Sequence, residues 1–295
     1  MRQPIGIISM QFVRPFTNKD LGLFERIKGL GFDFVELLVP EPDDDLDVGA
    51  LCQALTDNDL DVLLAARVNA DRSITSVDPM ARQHGIDYLK TCIEAAATLG
   101  ADIVGGPLFG GPLVFAGVRP SPIDETERRA RFDRCVDGLS TVANEAVKAG
   151  IRLALEPLNR FETDIISTVS QAIEVVDCVD SPGLGLLLDS FHMNIEERSI
   201  SDAVRTAGDR IIHFQANENH RGFPGTGHLR WSEIAQALHD VGYKGPVSLE
   251  PFRRDDDRFG VPIAQWRPPL EDESDKLRTS LALMRAALAM AEHKR

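Results

Sequence analysis

GLGLLLDSFHMNIEE, residues 183–197, begins as an apolar run bounded by glycine and reaches a carboxylate at Asp189. It places His192 three residues further on and closes on two glutamates. A short, near-continuous apolar run between glycines reads as a strand buried on both faces. A carboxylate at the C-terminal end of such a strand is costly to bury unless it is paired or holds a cation. An Asp in that place can also simply cap the next helix or turn. What the other strands carry separates the two readings.

Outward from this strand, short apolar runs alternate with longer amphipathic ones along the whole chain. The pattern predicts strands over Ile5–Met10, Phe34–Val39, Leu60–Val68, Asp102–Gly105, Ile151–Leu158, Leu184–Asp189, Ile211–Ala216 and Pro246–Pro251. Helices are predicted over Asn18–Leu30, Val48–Asp57, Gln83–Leu99, Glu125–Ala149, Val169–Val179, Ile200–Ala207, Trp231–Val241 and Asp275–Glu292. Gly31, Gly100, Gly150 and Gly242 fall where helices should stop. Eight strand–helix units in strict alternation, without a dinucleotide fingerprint, imply a (β/α)8 barrel, with a doubly wound sheet as runner-up. No interior linker is visible, so residues 1–295 are read as one domain. Residues 106–124 and 253–274 are too long for simple connections and read as lid or subunit-interface loops, since Phe115, Phe259 and Trp266 suit disorder poorly.

Composition narrows the class. Of 295 residues, 43% are hydrophobic and 26% charged, as in ordinary globular domains, and the net charge is −14. Such a surface offers no footprint for nucleic acid and is repelled by anionic membranes. Cys52, Cys92, Cys135 and Cys178 form no metal-type spacing and read as thiols in a reducing compartment. The N-terminal residues lack an extended apolar core, and no run approaches the ~20 residues of a membrane span. A cytoplasmic location is expected.

Four consecutive strands end in polar side chains. Strand five places Glu156 after Ala154, strand six ends in Asp189, strand seven carries His213, Gln215 and Asn217 on one side, and strand eight places Glu250 after Ser248. Alternation along a strand puts Ala154 and Ser248 inward beneath the acids, and Leu153, Leu155, Val247 and Leu249 toward the helices. Glu156, Asp189, Gln215 and Glu250 therefore meet at one rim. Three carboxylates in one cavity do not all stay ionised without a cation. Oxygen donors favour a hard divalent ion such as Mg²⁺ or Mn²⁺. The competing reading pairs these residues with Arg152, Arg160 or Arg221.

LEPLNRFE (155–162), DSFHMNIEE (189–197), HFQANENHRGFPGTGHLRW (213–231) and VSLEPF (247–252) resemble the ketose 3-epimerases of the D-tagatose/D-psicose type, in the xylose-isomerase-like superfamily of sugar isomerases and epimerases. The resemblance covers nearly the whole chain, including Trp266–Arg267 and the last helix. It implies a TIM barrel holding Mn²⁺, with Mg²⁺ or Co²⁺ as alternatives, through Glu156, Asp189, Gln215 and Glu250. It implies that Glu156 and Glu250 double as the acid/base pair, and that Glu162, His192 and Arg221 hold the O1–O3 end of a sugar. It also implies a homodimer or homotetramer. One departure stands out. The family's epimerases have His where this chain has Gln215, and hydroxypyruvate isomerases have Gln there. A Gln carbonyl still ligates, as a harder donor.

The implied reaction is C3 epimerisation of a ketose through an enediolate, by proton transfer between the two glutamates. The same site suits lyases acting on keto sugars, such as C-glycoside deglycosidase catalytic subunits with a small partner subunit, or inosose dehydratases. An aldose–ketose isomerase of the hydroxypyruvate-isomerase kind is a further alternative. The apolar Leu108, Phe109, Leu113, Val114 and Phe115 keep the lyase reading open, because an apolar mouth suits an aglycone. A non-catalytic sugar-binding barrel is disfavoured by the intact acids. Without a basic cluster beyond Arg221 before Arg253, an unphosphorylated substrate is expected.

Overall fold

The computed structural model describes residues 2–111, 122–252 and 273–293. Strands β1 (Ile5–Ile8), β2 (Phe34–Leu38), β3 (Asp61–Ala65), β4 (Ile103–Gly106), β5 (Arg152–Leu155), β6 (Leu184–Asp189), β7 (Ile211–Ala216) and β8 (Val247–Leu249) form a closed barrel in sequence order. Every neighbouring pair is parallel, and β8 closes on β1. Helices α1 (Leu23–Leu30), α2 (Val48–Asp57), α3 (Pro79–Leu99), α4 (Glu125–Ala149), α5 (Val169–Val179), α6 (Ser190–Glu196), α7 (Ile200–Ala207), α8 (Trp231–Asp240) and α9 (Ser274–His293) accompany the strands.

Period-two alternation divides the apolar residues into two cores. Leu153, Leu155, Leu186, Leu188, Phe214, Val247 and Leu249 pack outward with the helices. Phe34, Leu63, Ile103, Ala154 and Leu187 fill the barrel interior. Small residues make room for these plugs. A Cβ on Gly6 would lie 2.3 Å from the Phe34 ring, and one on Gly105 would lie 2.7 Å from Leu187. Above this apolar floor the interior turns polar.

Local chemistry sets the helix ends. Asp47, Asp78, Asp124, Thr168 and Ser199 each accept a backbone N–H at a helix start, and Thr168 pairs reciprocally with Gln171. Gly100 and Gly150 close α3 and α4 in the left-handed region, at φ 74° and 73°. Three boundaries differ usefully from the pattern. α3 starts at Pro79, four residues early, because Asp78 caps it and proline suits a first turn. The ladders of β5 and β8 stop at Leu155 and Leu249, so Glu156 and Glu250 each lie one residue beyond a strand. Helix α6, unanticipated, starts directly after Asp189.

Most of the two long connections, residues 112–121 and 253–272, lies outside the described residues, as do Leu113, Val114, Phe115, Phe259 and Trp266. Leu108 and Phe109 are fully buried in the helix-facing core, which corrects their reading as part of an apolar mouth. Among the described residues no helix is long and apolar enough to cross a membrane.

Candidate active site

Ladder register delivers the polar residues to one place. Asp189 on β6 is the Cα partner of Gln215 on β7, which is the partner of Ser248 on β8. Glu250 lies two residues past Ser248, and Glu156 follows β5. All four candidate ligands are buried. Glu156, Gln215 and Glu250 line a cavity of about 480 Å³ together with Glu162, His192 and Arg221. Arg152 pairs instead with Asp102 at 3.1 Å and Arg160 with Glu196 at 2.9 Å, so neither neutralises the cluster.

Asp189 does both things its position allowed. Its Oδ1 accepts the Phe191 N–H at 2.8 Å and caps α6. Its Oδ2 lies 3.5 Å from His192 Nε2, and Glu156 Oε1 lies 3.4 Å from the same nitrogen. The donor atoms of Glu156, Asp189 and His192 all fall within 4.8 Å of one another, close enough to share a metal ion. Asn217, inward-facing as the strand pattern expects, donates to Asp189 at 3.1 and 3.2 Å and to Glu250 at 3.0 Å, tying two strands together.

Burial and the Asp189 charge hold the Glu156 carboxyl well above the usual carboxylate range. Burial, Asp189 and Glu156 do the same to Glu250. Such crowding is relieved by a divalent cation. The donor set fits one: three carboxylates, and the Gln215 Oε1 carbonyl, which has no hydrogen-bond partner among the described residues. Glu156, Asp189, Gln215 and Glu250 could hold the ion.

His192 is placed differently from a ligand. Its Nδ1 accepts the Asn159 backbone N–H at 3.0 Å. A backbone N–H only donates, so Nδ1 carries the lone pair and the ring proton sits on Nε2. Burial lowers the pKa, against the opposing pull of Asp189 and Glu162, which keeps the ring neutral. His192 thus presents an N–H donor near Glu156 and Asp189 rather than a free lone pair.

Arg221 and Glu162 form a buried ion pair at 2.5 Å, and Asn159 Nδ2 adds a bond to Glu162 at 3.1 Å. The guanidinium lies over Phe252 at 4.0 Å and Phe191 at 4.7 Å. Burial alone would raise the Glu162 pKa, but the Arg221 charge and the bonds from Asn159 and Arg221 lower it. Burial likewise opposes the charge on Arg221, and Glu162, Glu250 and Asp189 more than restore it.

Sequence reading missed Glu36, Arg14, Asp44 and Arg67. The last three line the same cavity from the β1, β2 and β3 exits, with Arg67 bonded to Asp44 at 2.6 Å. Glu36 is fully buried inside the barrel, and its Oε1 accepts from Gln215 Nε2 at 2.8 Å. Its signal was available: a charged residue in the middle of FVELL, an apolar strand. His213 lies one layer below the rim, bonded to Ser248 at 2.8 Å, and burial lowers its pKa to about 3.

A parallel eight-stranded barrel with buried acids at its strand-exit rim is the frame of a large class of enzymes. The family model of xylose isomerase-like TIM barrels matches residues 24–287. A D-psicose 3-epimerase of Ruminiclostridium cellulolyticum is 32% identical over 86% of this chain and 85% of its own length. An L-ribulose 3-epimerase of Mesorhizobium japonicum is 32% identical over 90% and 86%. A solved structure of an L-ribulose 3-epimerase superposes with a TM-score of 0.90 at 30% identity, covering 100% of this chain and 97% of that one. The chain belongs to the xylose isomerase-like TIM barrel family, among its ketose 3-epimerases. It is an enzyme of the isomerase class.

Proposed function

We propose that this protein is a metal-dependent sugar epimerase that interconverts ketoses at C3. The observation that carries this reading is the pair of buried glutamates, Glu156 and Glu250, facing one cavity with their pKa values raised, and so their acidities weakened, by burial and by Asp189. A divalent cation held by Glu156, Asp189, Gln215 and Glu250, Mn²⁺ in the first instance and Mg²⁺ or Co²⁺ otherwise, would supply Lewis-acid polarisation of the ketose carbonyl.

The remaining chemistry belongs to the chain. The Glu156 carboxylate removes the C3 proton, and the C–H electron pair passes into a cis-enediolate of the sugar. Glu250 delivers a proton to the opposite face of C3, and the carbonyl reforms. The reverse reaction exchanges the two roles. His192 Nε2–H donates to the developing charge on the carbonyl oxygen. Arg221, held by Glu162, orients the neighbouring hydroxyl. The four cysteines, all unpaired, fit a reducing cytoplasm. A homodimer or homotetramer is proposed on the family resemblance. The lyase alternative loses two of the apolar residues that favoured it, since Leu108 and Phe109 belong to the core.

The test is NMR in D₂O on Mn²⁺-loaded and EDTA-treated protein, with a panel of ketohexoses, ketopentoses and 3-keto glycosides. Metal-dependent deuterium at C3 together with a new epimer is the expected result. Release of water or an aglycone moves the assignment to a lyase. Appearance of an aldose moves it to an aldose–ketose isomerase.

A further inference from the structure

Glu36 and Gln215 are 179 residues apart and meet inside the barrel. Glu36 sits mid-strand on β2, fully buried. Its Oε1 takes the Gln215 amide N–H at 2.8 Å, and its Oε2 has no hydrogen-bond partner among the described residues. Gln215 Oε1, the other end of the same amide, is buried and equally unpartnered among the described residues. A primary amide has a donor end and an acceptor end of nearly equal shape, so something must choose which end faces the site. A carboxylate accepts and does not donate. It therefore draws the NH₂ group to itself and leaves the carbonyl oxygen for the cavity. Reversed, the amide would bring two oxygens together at Glu36 and point two N–H donors at the place where a cation belongs.

We infer that Glu36 is a positioning residue that sets the amide of Gln215, so that its oxygen and not its nitrogen completes the metal-binding donor set. The inference rests on the metal-dependent reading above. It also accounts for a carboxylate buried in the middle of an apolar strand, a costly placement unless it serves the site. Residues that orient a metal ligand from behind contribute roughly 10–100-fold to metal affinity.

The test is Mn²⁺ affinity of EDTA-stripped protein, read by the EPR signal of free Mn²⁺ and by titration calorimetry, with no turnover required. E36Q keeps the shape but offers a donor as well as an acceptor, so the Gln215 amide is free to turn. Mn²⁺ binding is expected to weaken about 10–100-fold, with the far-UV circular dichroism unchanged. The exchanged pair E36Q/Q215E presents an oxygen at position 215 in either orientation and gives it a donor behind. It is expected to regain most of the lost affinity, which a purely packing role for Glu36 would not produce. If E36Q binds Mn²⁺ like the wild type, or the exchanged pair binds no better than E36Q, the inference is overturned while the metal reading stands. If the wild-type chain binds no divalent ion, the metal reading falls and this inference falls with it.

Discussion

The Asn159 backbone N–H donates to His192 Nδ1 at 3.0 Å, and that single bond sets the tautomer of the site histidine. With its proton on Nε2, 3.4 Å from Glu156 Oε1, His192 is a hydrogen-bond donor inside the acidic cluster. H192N is expected to lower kcat/KM by about 10²–10³, the usual loss for one donor to a developing oxyanion. Its Mn²⁺ affinity should stay within a few-fold of wild type. A large loss of metal binding on the same titration would make His192 a ligand instead.

Glu156 and Glu250 are expected to be separable by face. E156Q and E250Q should each reduce kcat by roughly 10²–10⁴, the range for a lost acid/base group. Each should still exchange the one C3 proton that its surviving glutamate reaches. Mass spectrometry of each epimer recovered from D₂O reads this directly, and full activity in either variant sinks the assignment.

Metal removal should show in stability as well as in turnover. A ligand that binds only the folded state at a hundredfold excess over Kd stabilises by about 2.7 kcal/mol. For a chain of this length that corresponds to roughly 4–5 °C in Tm. Scanning calorimetry with and without EDTA measures it, and an unchanged Tm argues against a resident ion.

Burial raises the Glu36 pKa to about 7, with Asp189 adding to the shift and Ser248 and Gln215 opposing it. Below about pH 7 the metal-free folded state therefore keeps a proton on Glu36 that the unfolded chain releases near pH 4.5. Above pH 7 Glu36 is the ionised acceptor that orients Gln215, so the Mn²⁺ titrations of E36Q belong at pH 8. The stability this provides is fully present below pH 4.5 and is lost as pH rises toward 7. His213, 3.6 Å away with a pKa lowered to about 3, acts in the other direction, costing stability as pH falls below 6.5. Denaturant midpoints of EDTA-treated protein between pH 4.5 and 7 should fall less steeply for E36Q than for wild type. Equal slopes would mean that Glu36 is ionised throughout.

The cysteines should divide by environment. Burial pushes the Cys92 and Cys135 thiols up to about 12, whereas Cys178 is exposed and Cys52 half-buried. Because the thiolate is the reactive form, a disulfide reagent at pH 8 should modify Cys178 quickly and Cys52 slowly in the folded protein. Cys92 and Cys135 should react only after unfolding. Mass mapping of the labelled sites checks this, and rapid labelling of Cys135 would contradict its burial.

The sequence by itself determined the barrel and most of its rim. Apolar runs of strand length recur eight times, and period-two alternation states which side of each run faces inward, so Glu156, Asp189, Gln215 and Glu250 were legible from local pattern. Asp189 caps α6 through Oδ1 and turns Oδ2 toward the cluster. Only the tertiary structure decided how those residues are held. The bond from Gln215 to Glu36 spans the barrel, the proton on His192 depends on a backbone amide 33 residues away, and Leu108 and Phe109 turn into the core rather than toward the mouth. Alternation along a strand tells inside from outside. Which inward groups meet depends on the tilt and stagger with which eight strands close, and that is a property of the whole ring rather than of any one segment.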